Sequence, residues 1–269
     1  MTNDIPWKSF GKKEFLSALL SKQINSIAAH KNGYFFIKGR DELVLIRKKR
    51  AELSKKKIIK AKKIIKKLSI IPSVKFAGIS GALSMENSEK SDDIDLFIIT
   101  EKNLLWSTRF FLILFLKYMG VYRSKNDNNY SDKICLNMLL DEKNIAFRGK
   151  DRNLYTAHEI LQVIPVIDKD GIYNKFMEEN KWIKKIMPNA TPKKIERQNS
   201  NNFTAGIFIF LVKIFFLEKL LQYIQYEYMK KNITKEKIKN GILGFHPFDY
   251  GGYAIDMYIK NLRKFGMKQ

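Results

Sequence analysis

One aspartate inside an apolar run constrains this chain more than any other residue. Ile94-Asp95-Leu96-Phe97-Ile98-Ile99 is apolar on both faces apart from Asp95, as a central strand of a covered sheet must be. An unpaired carboxylate is expensive in such a place, so Asp95 calls for a cation. Asp93 stands two residues earlier, and residues i and i+2 of a strand point to one face, so the two carboxylates can converge. Upstream, Val74 to Ile79 reads as another strand, followed by the small-residue turn Ser80-Gly81-Ala82. Gly81 lets backbone N–H groups approach phosphate oxygens, and a helix starting there adds the partial positive charge of its N-terminus. Such a turn facing two carboxylates can hold a triphosphate on one side and a divalent cation on the other. Mg2+ takes a few carboxylates and fills its remaining positions with phosphate and water. The chemistry this points to is metal-assisted phosphoryl or nucleotidyl transfer. The bland alternative is that Asp92 and Asp93 end a loop while Asp95 caps a strand.

Ser80-Gly81-Ala82, about a dozen further residues, and then Asp93-Ile94-Asp95-Leu96 resemble the signature of the DNA polymerase beta-type nucleotidyltransferase superfamily. The likeness covers roughly Val74 to Leu140, and the front and tail resemble an uncharacterised bacterial and archaeal branch. The resemblance implies an α+β fold with a mixed sheet flanked by helices. It also implies Mg2+ (or Mn2+), a nucleoside triphosphate, and transfer of a nucleoside monophosphate to an acceptor hydroxyl. Asp93 and Asp95 then carry catalysis and metal, and Ser80, Gly81, Ala82, Ser84 and Lys133 contact the nucleotide. Arg109 is a further candidate for the triphosphate, although surface or capping roles are the commoner fate of Lys133 and Arg109 taken singly.

Two positions depart from the pattern. Ala82 stands where the family often has Ser, and Ser80 or Ser84 is the substitute. The third carboxylate is not evident: in Asp132-Lys133-Ile134-Cys135-Leu136-Asn137 the matching inward position reads as Asn137. An amide oxygen can ligate a cation but supplies no charge and cannot take a proton from an acceptor. Asp132 or another acid serves instead, or the site runs on two carboxylates, or catalysis has been lost.

Composition bounds the rest. With 269 residues and 45% hydrophobic content, the chain can bury a substantial core. Cys135 is the single cysteine, which excludes an internal disulfide and a cysteine-rich zinc site and fits a cytoplasmic setting. His30, His158 and His246 lie far apart without metal-site spacing, and His158 reads as a hydrogen-bonded core residue. The polar stretch Met1 to Phe10 has no apolar core of a signal peptide. The apolar runs Phe110 to Leu116 and Phe203 to Leu217 are both shorter than the roughly 18–20 residues of a spanning helix. Buried helices are expected, with an interfacial role for the second as the alternative.

The formal charge of +23 invites a nucleic-acid partner, yet 41 of the 50 basic residues are Lys, the poorer residue for bidentate phosphate recognition. Charge is densest from Arg47 to Lys67, where twelve basic residues face Glu52 alone. A solvated helix face is the commoner explanation of such a tract.

Three regions follow. Residues 1–50 read as two short helices and a hairpin, Tyr34 to Ile37 and Glu42 to Ile46 around Gly39, a winged-helix-like module. Residues 51–148, opening with a helix from Ala51 to Leu68, form the nucleotidyltransferase core. Residues 149–269 are mostly helical and form a C-terminal domain, with Asn180 on an apolar stripe tying backbone together or lining an acceptor pocket. The rival reading is a nucleotidyltransferase-fold protein without activity that binds nucleic acid through its basic front.

Overall fold

The computed structural model describes residues 9–124, 127–195, 217–230, 237–239, 241–244 and 250–264. Helices α1 (Lys12–Leu19) and α2 (Lys22–Ile27) lead into an antiparallel hairpin of β1 (Ala28–Lys31) and β2 (Tyr34–Ile37). The hairpin turns at Asn32-Gly33, whose φ values of 52° and 81° suit the two-residue turn that matches strand twist. The expected hairpin around Gly39 is therefore corrected. Glu42 to Ile46 instead opens α3 (Glu42–Lys67), which the sequence reading began at Ala51. Leu43-Val44-Leu45-Ile46 is short and wholly apolar, so periodicity does not separate strand from helix there. Only Val44 of the four is buried.

Among the described residues the central sheet has six strands: β3 (Val74–Ile79), β4 (Ile94–Thr100), β5 (Ile134–Asp141), β6 (Ile164–Asp168), β7 (Lys237–Lys239) and β8 (Ile242–Gly244). Their order is β6-β3-β4-β5-β8-β7, with β4 and β5 parallel and every other neighbour antiparallel. The helices are the single turn α4 (Gly81–Ser84), α5 (Leu105–Tyr118), α6 (Leu154–Gln162), α7 (Ile172–Glu179), α8 (Ile183–Ile186), α9 (Leu217–Lys230) and α10 (Tyr250–Lys264). The chain is thus a mixed α+β protein. The stretch beyond residue 148, read as helical, supplies three strands to the same sheet as β3 and β4. β6 carries Pro165 and is an edge strand, where proline is tolerated.

Both faces of the sheet are covered, which explains the unbroken apolar run of β4. Ile94, Leu96 and Ile98 pack with Ala61 and Ile65 of α3 and Leu112 and Leu116 of α5. Phe97 and Ile99 belong to the opposite core, with Ala157 and Ile160 of α6 and Tyr173 and Phe176 of α7. Asp95 shares the parity of Phe97 and so faces the α6 side. Asn180 is wholly buried there: it donates to the Ile145 and Phe176 carbonyls and accepts from Phe147 N and Trp182 Nε1. It ties backbone together.

α5, the crossover between the parallel strands, is held by α9. The Glu218 carboxylate accepts from Trp106 N and Ser107 N, both at 2.8 Å, at the start of α5, where orphan N–H groups need an anion. Arg109 is half-buried and donates to Gln225 Oε1, while Gln225 Nε2 donates to the Trp106 carbonyl. Arg109 therefore belongs to a helix seam, not to a triphosphate. The run Phe110 to Leu116 is the body of α5. Among the described residues no helix is long and apolar enough to cross a membrane. Residues 203–216 of the second apolar run, and His246 to Asp249, lie outside the described residues.

Part of the basic charge on α3 is directed inward. Lys57 is buried and its Nζ donates to the carbonyls of Glu89 (3.0 Å) and Asp92 (2.6 Å), with Asp132 Oδ1 at 3.5 Å. Arg47 donates to the Met85 and Glu86 carbonyls, and Arg50 pairs with Glu89. These cations fasten the loop of residues 85–92 that joins α4 to β4. Replacing Lys57 by Met keeps most of the stem but strands buried carbonyls, at a cost of about 1–3 kcal/mol. We expect K57M to lower the urea midpoint accordingly; an unchanged midpoint would show that the loop is held by other means.

Candidate functional site

β3 ends at Ile79, and the chain turns through Ser80 and Gly81 into α4 while β4 runs alongside. Ser80 N donates to the Asp95 carbonyl at 2.9 Å, which pins the turn against the acidic strand. Gly81 has φ +62°, and a Cβ there would run into Asp95 Oδ2. Only glycine fits, because the left-handed backbone and the close approach both exclude a side chain.

Asp93, Asp95 and Cys135 bring one ligand atom each to within 4.8 Å of one another. Strand register accounts for the cysteine: Asp95 pairs with Cys135 across the parallel β4–β5 ladder. A shift in register follows, so that Phe97 pairs with Met138. Three residues of β5 after Cys135 thus span two of β4, and the buried Asn137 lies within that bulge. The expectation that Asn137 occupies the third inward position is corrected: by register that place belongs to Cys135.

Arg123, from the segment after α5, completes the cluster. Its Nη1 lies 2.9 Å from Asp93 Oδ2 and 3.4 Å from Cys135 Sγ, and its guanidinium rests 4.6 Å from the Tyr130 ring centre. Burial raises the Asp93 carboxyl above its ordinary range, and Arg123 counteracts part of that rise. Asp95 is pushed up to about 7, first by burial and then by the negative charge of Asp93, with Glu159 adding to the effect. Glu159 on α6 is itself raised by burial. The Cys135 thiol is driven up to about 12 by burial and by the two neighbouring aspartates, so it is neutral. This is a pocket of crowded negative charge that favours either protons or an added cation.

The remaining sequence candidates divide. Ser80 is buried beside the acids and its Oγ has no hydrogen-bond partner. Ala82 lies in α4, and its carbonyl accepts from Met85 N and Asn87 N. Ser84 Oγ donates to the Gly81 carbonyl at 2.7 Å and so closes the turn. Lys133 Nζ donates to the Gly120 carbonyl at the end of α5, which removes it from the cluster. Asp132 is likewise committed elsewhere: it pairs with Lys57 and Lys60, whose bonds and charges hold it below the usual carboxylate range despite burial. His158 is exposed and meets Gln162 at 3.2 Å. Arg123, Cys135 and Glu159 escaped the sequence reading. Only Cys135 was within its reach, by counting two residues back along β5.

No family model, curated protein or solved structure matches this chain.

Because Asp95 holds its proton to higher pH in the folded chain than the ordinary 3.8, its ionisation costs stability as pH rises from about 4 through about 7. In metal-free buffer, D95N should gain on the parent chain across that window, by on the order of 3 kcal/mol at pH 8, and match it near pH 3.5. Parallel stability curves over the whole range would contradict the burial of this charge. G81A should displace Asp95 and lower the melting temperature, with about 1–2 kcal/mol from the left-handed backbone alone.

Proposed function

We propose that the chain transfers a nucleoside monophosphate from a nucleoside triphosphate to an acceptor hydroxyl, using Mg2+ or Mn2+ held by Asp93 and Asp95. The fold reading that goes with this is a nucleotidyltransferase-type core with a winged-helix-like front, working in the cytoplasm. The observation that carries it is the convergence of Asp93, Asp95 and Cys135 beneath the Gly81 turn. The donor set fits a divalent cation: two carboxylates whose charges repel, a thiol between them, and a buried Ser80 hydroxyl lacking a partner. When bound, the cation neutralises charge on the triphosphate and on the departing pyrophosphate.

The protein's own part is positioning. Gly81 leaves room for phosphate oxygens at the backbone, and the Ser80 hydroxyl is available to donate to them. The acceptor oxygen attacks the α-phosphorus in line, the bond to pyrophosphate breaks, and the acceptor's proton passes to a carboxylate. Cys135 is neutral and does not take it, which leaves the aspartates and Glu159. Fixing the reactants in line supplies much of the rate in such transfers.

Incubation with Mn2+ and each labelled nucleoside triphosphate should release pyrophosphate, and D93A and D95A should each lose at least 100-fold of that rate. In the absence of nucleotide, Mn2+ should raise the melting temperature of the parent chain at pH 8 but not that of D95N. Turnover unchanged in both alanine variants would refute the assignment.

A second reading has its own observation. Cys135 brings no charge to the third position, Arg123 already neutralises Asp93, and a proton retained on Asp95 balances the cluster without a metal. On that reading the fold is retained without transfer, and the protein binds nucleic acid. C135D separates the two. It should raise Mn2+ affinity and turnover several-fold if the site is active, and leave an inactive chain silent.

A further inference from the structure

A groove of about 630 Å3 runs beside the candidate site, between the first half of α3 and the two loops that deliver the acidic strands. Ile46, Lys49, Arg50 and Leu53 form its helical wall, and their spacing of three, four and seven residues places them on one stripe. Residues 89–91 form the opposite wall with Asn129 and Ser131. That wall is firm: Ser131 Oγ donates to the Lys90 carbonyl at 2.7 Å, and Asp132 N to the Asp92 carbonyl.

Its chemistry is mixed in a specific way. Lys49 and Lys90 are exposed on opposite walls, and among the described residues neither makes an ion pair. The one acid in the groove, Glu89, is held by Arg50. Between the charges, Ile46 is 42% exposed and Leu53 half-buried, giving an apolar floor. Free cations on both walls over an apolar floor match a strand that offers phosphates and unstacked bases together. A duplex offers the phosphates but hides its base faces.

The groove also leads to the acids. Ser91 on one wall is two residues from Asp93. On the other wall, Asn129 and Ser131 flank Tyr130, whose ring lies against the Arg123 guanidinium that pairs with Asp93. We infer that this groove binds a single-stranded polynucleotide, laid so that its end reaches Asp93 as the acceptor. The word acceptor rests on the transferase reading above; the binding itself does not.

The test is fluorescence anisotropy with a labelled single-stranded 12-nucleotide RNA, in EDTA and without nucleoside triphosphate. K49A/K90A removes the two unpaired cations. Both are exposed, so the fold is retained, as circular dichroism would check. We expect its Kd to rise at least tenfold and the slope of log Kd against log salt to fall by about 1.4, two phosphate contacts at about 0.7 each. K66A/K67A, at the far end of α3, should change Kd less than twofold, and D95N should bind like the parent. Equal weakening by both lysine pairs would mean diffuse charge and overturn the site. Parent-like binding by K49A/K90A, no binding by the parent, or a duplex competing as well as the single strand would each overturn it too. A failure here alongside intact pyrophosphate release would leave the transferase reading standing.

Discussion

The Asp95 carboxylate lies half-buried against Gly81, and the local structure is arranged around that contact. Taking a charge out of water is costly, and a second carboxylate two residues away adds to the cost. The chain meets it with Arg123, with a hydrogen bond from Cys135, and by letting Asp95 keep its proton to near neutrality. None of this improves the fold. A methyl-bearing or amide side chain would pack between β4 and the turn at less expense. Stability given up at one place, within the apolar run Ile94 to Ile99, marks these acids as a candidate site.

The surroundings hold that costly geometry in place. Glycine at position 81 allows the turn to approach, and the Ser80–Asp95 backbone bond prevents it from drifting. The loop of residues 85–92 is then fastened to α3 by Arg47, Arg50 and Lys57. A cationic helix that looks, in sequence, like a nucleic-acid track is in part a brace for the loop that aims Asp93. What remains unpaired, Lys49 and Lys90 among others, is the fraction of the charge available to a partner. Net charge alone does not make that distinction.

What sequence reasoning reached, and missed, follows from how far each signal extends. The β3–turn–β4 unit was legible because its cues are local: an apolar run, a glycine, and two acids spaced for one face. The hairpin lies one turn earlier than the sequence suggests because a four-residue apolar segment, Leu43 to Ile46, fits helix and strand equally. β6 is only five residues long and lies between helices, so the helical reading of residues 149–269 does not separate it. Asn137 reads as the inward position because the bulge in β5 is set by the partner strand and leaves no sign in the sequence of β5. Arg123 and Glu159 come from distant segments, and nothing in their own neighbourhoods announces where they land.

The strand order carries a consequence for biogenesis. β3, β4 and β5 leave the ribosome early, yet β6, which covers β3, lies some 85 residues beyond it, and β8, which covers β5, some 100 beyond that strand. Until those segments emerge, both flanks of a three-stranded, strongly apolar sheet stand open to any other extended chain. The nascent polypeptide is therefore most vulnerable to self-association after β5 has emerged and before β8 has done so.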